Sequence, residues 1–321
     1  MPRSHPRTVI DPLSLEKKIA ELLDAFFQKR IDKLNQLQLR EKLKDKSPYL
    51  MRAIGVADAS EIIEEILDAH ISSSDETLFG NIFFEPLAQW VAEEAYKGHA
   101  AVVTGTTKGI DISLQHKAYV ESIAVKSGVN SFNAQSKERQ KQDLKEYRDR
   151  VRKLGIAIFT VIGYCYGTKK QRIPNGSVAE VEELAGHAFW AHLTNDADFY
   201  LKIINLMKTI PALHRQTYLN AYNQAKNKFV REFSKDYTLA SGDIDWDKLV
   251  KENSGPRVKG PTTPKPKVAS PNKKSKGLAK NALSQKAADA LVANVPLLGN
   301  STATSDNQII DDLTNIHGLG D

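Results

Sequence analysis

The sequence predicts a mixed α/β (α+β) protein in which strands lie between helix-rich N- and C-terminal parts. Two short strand-like runs separated by a turn occupy residues 110–126. A continuous apolar run, Ile156 to Gly163, is typical of a strand buried on both faces. Apolar residues recur at helical spacing before and after these strands, which predicts the flanking helices.

The composition indicates a soluble chain. Its 321 residues, 41% of them hydrophobic, are enough to bury a core in one large or two ordinary domains. No apolar run is long enough to span a bilayer, and no signal-peptide-like apolar segment follows the N-terminal basic residues. The single cysteine, Cys165, excludes an intrachain disulfide. We therefore expect a cytoplasmic protein.

The first predicted element is one amphipathic helix from Leu13 to about Lys44. No proline or glycine interrupts this segment, so we expect a long helix that packs on its own core or pairs with another subunit. Its apolar residues at near-helical spacing are Leu15, Ile19, Leu22, Leu23, Phe26, Phe27, Ile31, Leu34, Leu37 and Leu39.

Two helices are predicted between this segment and the strands. Ser60 begins the first, which runs from Glu61 to about His70. Ser73 and Glu76, three residues apart, have the form of a capping box and predict a new helix start. Pro86 either kinks that helix or starts another one that runs to Tyr96.

The stretch Gly109–Gly128 predicts a hairpin with a carboxylate on one strand and a lysine on the other. Asp111 lies in the first strand, 110–114, and Lys126 ends the second strand, 119–126. Since side chains alternate along a strand, Lys126 shares a face with Ala124, and Glu121 points the opposite way. A charged side chain beside small residues at a strand end indicates a ligand pocket. A solvated hairpin with a surface ion pair explains the same spacing.

Helices are also predicted beyond the hairpin. A highly charged helix spans 134–154, and the segment from Tyr164 to Ser177 is interpreted as a loop or hairpin over the same sheet edge. Three more helices are predicted from Val181 to Leu193, from Asp198 to Ile210, and from Leu213 to about Tyr237.

The sequence predicts two parts, a folded domain at residues 1–240 and a largely disordered tail at 254–321. Residues 254–281 contain repeated prolines and many lysines but no acidic residue. Such a segment cannot bury enough apolar surface to fold. The tail is either a solvated extension without a role or a mobile arm that binds phosphates and raises nonspecific affinity for nucleic acid.

The sequence lacks the motifs of several common classes of binding site and enzyme. The histidines are scattered and no cysteine pair accompanies them, which argues against a zinc site. Neither a P-loop nor a dinucleotide fingerprint is present. Cys165 lies between two tyrosines at a strand end, and we expect a packed thiol there rather than a nucleophile.

Several segments resemble known nucleases. Residues 109–111 (GID) and 124–128 (AVKSG) resemble the active-site strands of the PD-(D/E)XK nuclease superfamily. The surrounding segments resemble, in the same order over roughly residues 45–235, one group of type II restriction endonucleases. These segments are SPYLMRA at 47–53, SSSDETLFGNIFFEPLA at 72–88, KSG at 126–128, GYCYG at 163–167 and GHAFWAHLTNDADFY at 186–200.

The resemblance implies a restriction-endonuclease-like mixed sheet flanked by helices, within the domain at 1–240. It also implies Mg²⁺-dependent hydrolysis of double-stranded DNA at a short specific site. Asp111 matches the metal-binding aspartate, and Lys126 matches the lysine that orients or activates water. Ala124 departs from the pattern, because the superfamily usually has Asp or Glu at that position.

Three glutamates compete to supply the missing carboxylate. Glu76 is the first candidate and Glu85 the second, since nucleases of this type often add a carboxylate from a helix before the metal-binding strand. A capping box with Ser73 is the competing explanation for Glu76, and Glu85 also fits a solvated helix start. Glu121 points away from Lys126 unless a bulge intervenes. The predicted catalytic residues are Asp111, Lys126 and Glu76, and the predicted metal ligands are Asp111, Glu76 and Glu85.

This residue set suits phosphodiester chemistry. Mg²⁺ is typically held by one or two carboxylates together with waters and phosphate oxygens. A lysine such as Lys126 adds positive charge where the transition state becomes more negative.

Polar residues after the catalytic strand and in the loop beyond residue 166 are candidates for DNA binding. Asn and Gln read adenine, and Arg and Lys read guanine or bind phosphate. Polar loop residues that face only water fit the same pattern. The candidates are Asn130, Ser131, Asn133, Gln135, Lys137, Lys169, Lys170 and Arg172.

The leading hypothesis is a type II restriction endonuclease that acts as a homodimer, because a palindromic site is matched by a two-fold symmetric protein. A cognate DNA methyltransferase is then expected as a genetic rather than a physical partner, and no membrane partner is expected. The alternative is a noncatalytic DNA-binding protein on a nuclease-like scaffold, motivated by Ala124 and the basic tail.

Overall fold

The computed structural model describes residues 6–130, 134–170 and 181–256. Five strands form one sheet in this part of the chain. They are β1 (Ala101–Thr107), β2 (Ile110–Gln115), β3 (Tyr119–Gly128), β4 (Ala157–Tyr166) and β5 (Glu182–Ala185). The helices are α1 (Pro12–Gln36), α2 (Leu39–Lys44), α3 (Pro48–Ala53), α4 (Ala59–Phe79), α5 (Glu85–Ala95), α6 (Ala134–Lys153), α7 (His187–Thr194), α8 (Phe199–Met207), α9 (Ile210–Tyr237) and α10 (Trp246–Ser254).

The sheet is mixed, with the strand order β1-β2-β3-β4-β5. β1, β2 and β3 pair antiparallel, whereas β3, β4 and β5 pair parallel. Parallel neighbours need a long crossover connection, and α6 lies in the connection between β3 and β4. The predicted hairpin, the buried strand after residue 156 and the mixed α+β class are confirmed.

Two larger hydrophobic cores hold most of the helices in the described part of the chain. The first core lies between one face of the sheet and a group of helices that includes α1, α5, α7 and α8. The sheet contributes Ile112, Ile123 and Val125, and Phe83 and Trp190 are fully buried in this core. The second joins the end of α1 to α2, α4, α9 and α10. No helix in the described ranges is long and apolar enough to cross a membrane.

The prediction of a single helix from Leu13 to Lys44 is wrong. α1 ends at Gln36, and the next two residues are extended, with φ −63° and ψ 141° at Leu37. In a continuous helix Leu39 would lie about 140° around the axis from Leu34. The break instead lets Leu34, Leu37 and Leu39 all enter the second core.

The predicted helix start at Ser73 is also wrong. α4 runs without interruption from Ala59 to Phe79, and its cap is Asp58, whose carboxylate accepts from the backbone N–H groups of Ser60 and Glu61. The capping signal at Ser73 does not start a helix, because burial of isoleucines and leucines stabilises one continuous helix through this position. A π-helical turn at Gly80–Phe84 then leads into α5, and Pro86 lies in its first turn.

Three other elements differ from the prediction. Residues 182–185 form β5 rather than a helix, because they pair with β4, and Gly186 (φ 51°) separates them from α7. β1 has only three apolar residues, none of them buried, and is held at the sheet edge by its pairing with β2. α10 is not predicted from the sequence, although Leu249 is buried in the second core. The predicted tail lies almost entirely outside the described residues.

Candidate active site at the end of the β2–β3 hairpin

Asp111 and Lys126 lie together where β2 and β3 meet. The Asp111 carboxylate accepts a hydrogen bond from the backbone N–H of Val125 at 2.6 Å. The Lys126 ammonium is 3.8 Å from the same carboxylate oxygen, and both side chains are mostly buried, with 24% and 19% of their areas exposed. The register Ile112↔Ile123 places Asp111 beside Ala124, so Lys126 lies diagonally across the strand pair. The hairpin therefore presents the predicted pair.

Glu85 supplies a second carboxylate at this position. It begins α5, and its carboxyl group is close enough to that of Asp111 for the two groups to interact. Burial first, and then the charge on Asp111, raise the pKa of Glu85 from 4.5 to about 7, against an opposing effect of Lys126. Two carboxyl groups that share one site cannot both ionise easily unless a cation accompanies them.

Glu76 lies on the wall of the same cleft. Its carboxylate accepts a hydrogen bond from the Tyr166 hydroxyl at 2.9 Å, and burial together with this carboxylate raises the pKa of Tyr166. The cleft has a volume of about 520 Å³ and is also lined by Glu85, Lys126 and Asn130. Glu76 is in the helix interior, so the capping interpretation of this residue is wrong.

Two glycines allow the cleft walls to approach closely. A Cβ atom at Gly80 would lie 3.1 Å from both the Cβ and the Oγ of Ser127, so the π-helical turn is pressed against the end of β3. A Cβ atom at Gly128 would lie 2.3 Å from the ring of Tyr166, which therefore occupies that space. π-Helical turns inside helices are frequent at functional sites. This one leads directly into α5, which begins at Glu85.

The donor set fits a hard divalent cation with few protein ligands. Asp111 and Glu85 are adjacent carboxylates, and Mg²⁺ usually binds one or two carboxylates plus waters and substrate oxygens. The described residues contain no cluster of three or more His, Cys, Asp or Glu side chains suited to a metal ion. Glu76 is therefore not gathered with the other two carboxylates.

The Glu121 side chain lies on the other face of the sheet, where it contacts α7. Only 4% of its surface is exposed, and its carboxylate lies 2.6 Å from Nε2 of His192 in α7. This position agrees with the strand alternation, which directs Glu121 away from Lys126. Its charge also contributes, after burial, to raising the pKa of the Tyr96 hydroxyl.

Cys165 is a packed thiol. Only 3% of the residue is exposed, and burial raises the pKa of its thiol well above the usual value. Such a group is a poor nucleophile, as the sequence predicts.

The candidate DNA-binding residues that the structure describes separate into three groups. Asn130 lines the cleft. Lys137 in α6 and Lys169 after β4 both form ion pairs with Glu183. Gln135 and Lys170 are exposed. Ser131, Asn133 and Arg172 lie outside the described residues.

Two features of the cleft are not predicted from the sequence. The first is Tyr166. Strand alternation could have indicated it, because Tyr166 shares a face of β4 with Tyr164, and Tyr164 pairs with Lys126 in the sheet. The contact of Gly80 with Ser127 is the other, and no local sequence signal marks it.

A mixed sheet with an aspartate and a lysine on adjoining strands, between flanking helices, is the arrangement of the restriction-endonuclease class. The chain matches the family described as Type II restriction endonuclease EcoO109I over residues 13–212, which is more than half of its length. It therefore belongs to this family of type II restriction endonucleases. A search of curated proteins gave no match.

Proposed function

We propose that this protein hydrolyses phosphodiester bonds of double-stranded DNA at a short specific site, and that Asp111 and Glu85 hold Mg²⁺ for this reaction. Family membership supports DNA cleavage as the activity. The observation that carries the assignment of the site is the position of the Lys126 ammonium, 3.8 Å from the Asp111 carboxylate, at the cleft that Glu85 also lines.

Each residue of the site has a chemical task in this proposal. A divalent cation held there supplies positive charge to the scissile phosphate and a more acidic water as the nucleophile. Asp111 is fixed in place by the N–H of Val125, which limits the reorganisation needed at the moment of reaction. Lys126 stabilises the negative charge that grows on the phosphate oxygens. No covalent enzyme intermediate is needed.

Glu85 is the preferred candidate for the metal-binding carboxylate that is missing at Ala124. Its carboxyl group contacts Asp111, whereas that of Glu76 accepts from Tyr166. We assign Glu76 to the cleft wall, where its carboxylate orients Tyr166 toward the space where the DNA strand binds.

DNA contacts are proposed at this cleft and beyond it. Asn130 lines the cleft and is placed to contact the bound strand. The other described candidates, Gln135, Lys137, Lys169 and Lys170, are proposed as further DNA contacts. A homodimer would match a palindromic site, and a cognate methyltransferase would protect host DNA as a genetic partner. Residues 1–240 form the proposed catalytic domain, and the lysine-rich tail is a proposed nonspecific DNA-binding arm.

A noncatalytic DNA-binding protein on the same scaffold is the second candidate. Ala124 favours it, because this fully buried residue stands where the superfamily usually has a metal-binding carboxylate.

Cleavage of phage DNA distinguishes the two candidates. The purified protein is incubated with the DNA in Mg²⁺ or in EDTA, and the products are separated by electrophoresis. Discrete fragments in Mg²⁺ alone support the nuclease. Retarded but intact DNA under both conditions supports the noncatalytic protein.

A further inference from the structure

A second charged cluster lies on the same face of the sheet as Lys126. The parallel register pairs Lys126 with Tyr164, and Glu183 pairs with Ile162, two residues before Tyr164. Because side chains alternate, Lys126, Tyr164 and Glu183 share one face. β5 is two strands from β3, which corresponds to a separation of about 10 Å. The cluster is therefore near the cleft but separate from it.

Two lysines converge on the Glu183 carboxylate. The ammonium of Lys137 lies 2.9 Å from one carboxylate oxygen. Lys169 contacts the other oxygen, which also accepts from the Tyr164 hydroxyl at 3.1 Å. Lys169 in turn donates to the Tyr164 hydroxyl at 3.2 Å and lies 4.4 Å from the centre of its ring. The lysines are thus fixed by contacts from α6, β4 and β5.

Positive charge exceeds negative charge around Glu183. A groove of about 360 Å³ between α6 and β5 continues from this carboxylate and is lined by Lys141, Lys145 and Arg148 as well as Glu138. Burial, followed by the neighbouring ammonium groups of Lys137 and Lys141, lowers the pKa of Lys169 to about 8. Crowded cations at a groove are favourable for a further anion.

We propose that Lys137 and Lys169 bind a backbone phosphate of the DNA beside the cleft, and that Glu183 occupies the place of that phosphate in the free protein. The inference rests on the proposed function, because it takes duplex DNA as the ligand. A carboxylate and a phosphate offer similar acceptor oxygens, and each lysine has three donors that are able to change partner. In the free protein the Glu183 carboxylate pairs with the two ammonium groups, and a DNA phosphate displaces this carboxylate when DNA binds.

The test measures binding of a duplex that lacks a cleavage site, in EDTA and at several salt concentrations, by fluorescence anisotropy. The variants are the double substitution Lys137→Met with Lys169→Met, and Glu183→Gln. The control is Lys202→Met, which removes a lysine paired with Asp196 on α8. Melting temperatures establish that each variant is folded.

The double variant is expected to bind about 10-fold more weakly and to reduce the slope of log affinity against log salt by about 1, as for the loss of one phosphate contact. Glu183→Gln is expected to bind several-fold more tightly, because the competing anion is gone. Lys202→Met should bind like the wild type.

Two results would overturn this inference. One is an unchanged affinity and salt slope in the double variant. The other is weaker binding by Glu183→Gln, which would make Glu183 a support for the lysines rather than a substitute for phosphate. Either result leaves cleavage by the wild type intact. Absence of cleavage by the wild type in Mg²⁺ would instead contradict the proposed function.

Discussion

The carboxyl groups of Glu85 and Asp111 are close enough to interact, although one residue begins a helix and the other lies in a strand. This contact brings two like-charged groups together in a partly buried site beside Lys126. The arrangement is unfavourable without a cation and favourable with one, which is the physical basis of the predictions below.

The first prediction concerns the stability of the metal-free protein as a function of pH. The folded-state pKa of Glu85, about 7, lies above its ordinary value of 4.5, so the folded protein binds more protons than the unfolded chain between these values. The stabilising contribution of this group is present below about pH 4.5 and is lost as the pH rises through about 7. We expect the melting temperature in EDTA to fall over this range more in the wild type than in Glu85→Gln.

Glu93→Gln is the matched control for this measurement, because Glu93 is an exposed glutamate on the same helix. Its melting temperature should follow the wild-type pH dependence. If Glu85→Gln also follows it, the carboxyl pair does not form as described.

The second prediction concerns Lys126. Replacement by Met keeps most of the side-chain length and removes the charge, so cleavage should fall by at least about 100-fold, as is typical when a charge-stabilising group is lost from an active site. DNA affinity in EDTA should change little, because the lysine acts mainly on the transition state. Lys117→Met, in the exposed turn of the same hairpin, should cut normally. Normal cleavage by Lys126→Met would place the active site elsewhere.

The third prediction separates Glu121 from the catalytic residues. Its carboxylate is buried against His192, so Glu121→Gln should lower the free energy of unfolding by about 1–3 kcal/mol through the weakened charged hydrogen bond. Cleavage per folded molecule should remain at the wild-type level. Denaturant unfolding and cleavage assays at low temperature give the two readouts. If Glu121→Gln loses cleavage while its free energy of unfolding is unchanged, Glu121 is a catalytic residue and this prediction is wrong.

The fourth prediction concerns the basic tail. Leu249 is buried in the second core, so a truncation should retain α10 and remove residues 257–321. The melting temperature of the shortened protein should match that of the full chain, and its nonspecific DNA binding should be weaker and less dependent on salt. A large loss of thermal stability would show that the tail contributes to the fold.

Local sequence rules predict the hairpin but not the complete site. Strand alternation and turn composition are properties of neighbouring residues, and they place Asp111 near Lys126 and turn Glu121 away. The capping-box interpretation of Glu76 used equally local information, and it is wrong because a buried apolar face extends α4 past Ser73.

The position of Glu85 depends on tertiary packing. Glu85 directly follows the π-helical turn at Gly80–Phe84, and Gly80 in that turn packs against Ser127; neither feature has a periodic sequence signal. β5 is missed for a related reason, since the backbone of β4 rather than local preference holds residues 182–185 extended.

The most direct measurement compares cleavage in Mg²⁺ by Glu85→Gln and Glu76→Gln. Both substitutions keep the size of the side chain and remove the charge. We expect Glu85→Gln to lose cleavage by at least about 100-fold while it still binds DNA in EDTA, because one of the two proposed metal-binding carboxylates is gone. Glu76→Gln should retain most activity, since an amide oxygen still accepts from Tyr166. Full activity in Glu85→Gln together with inactive Glu76→Gln would contradict the assignment of Glu85 and Asp111 as the metal-binding pair.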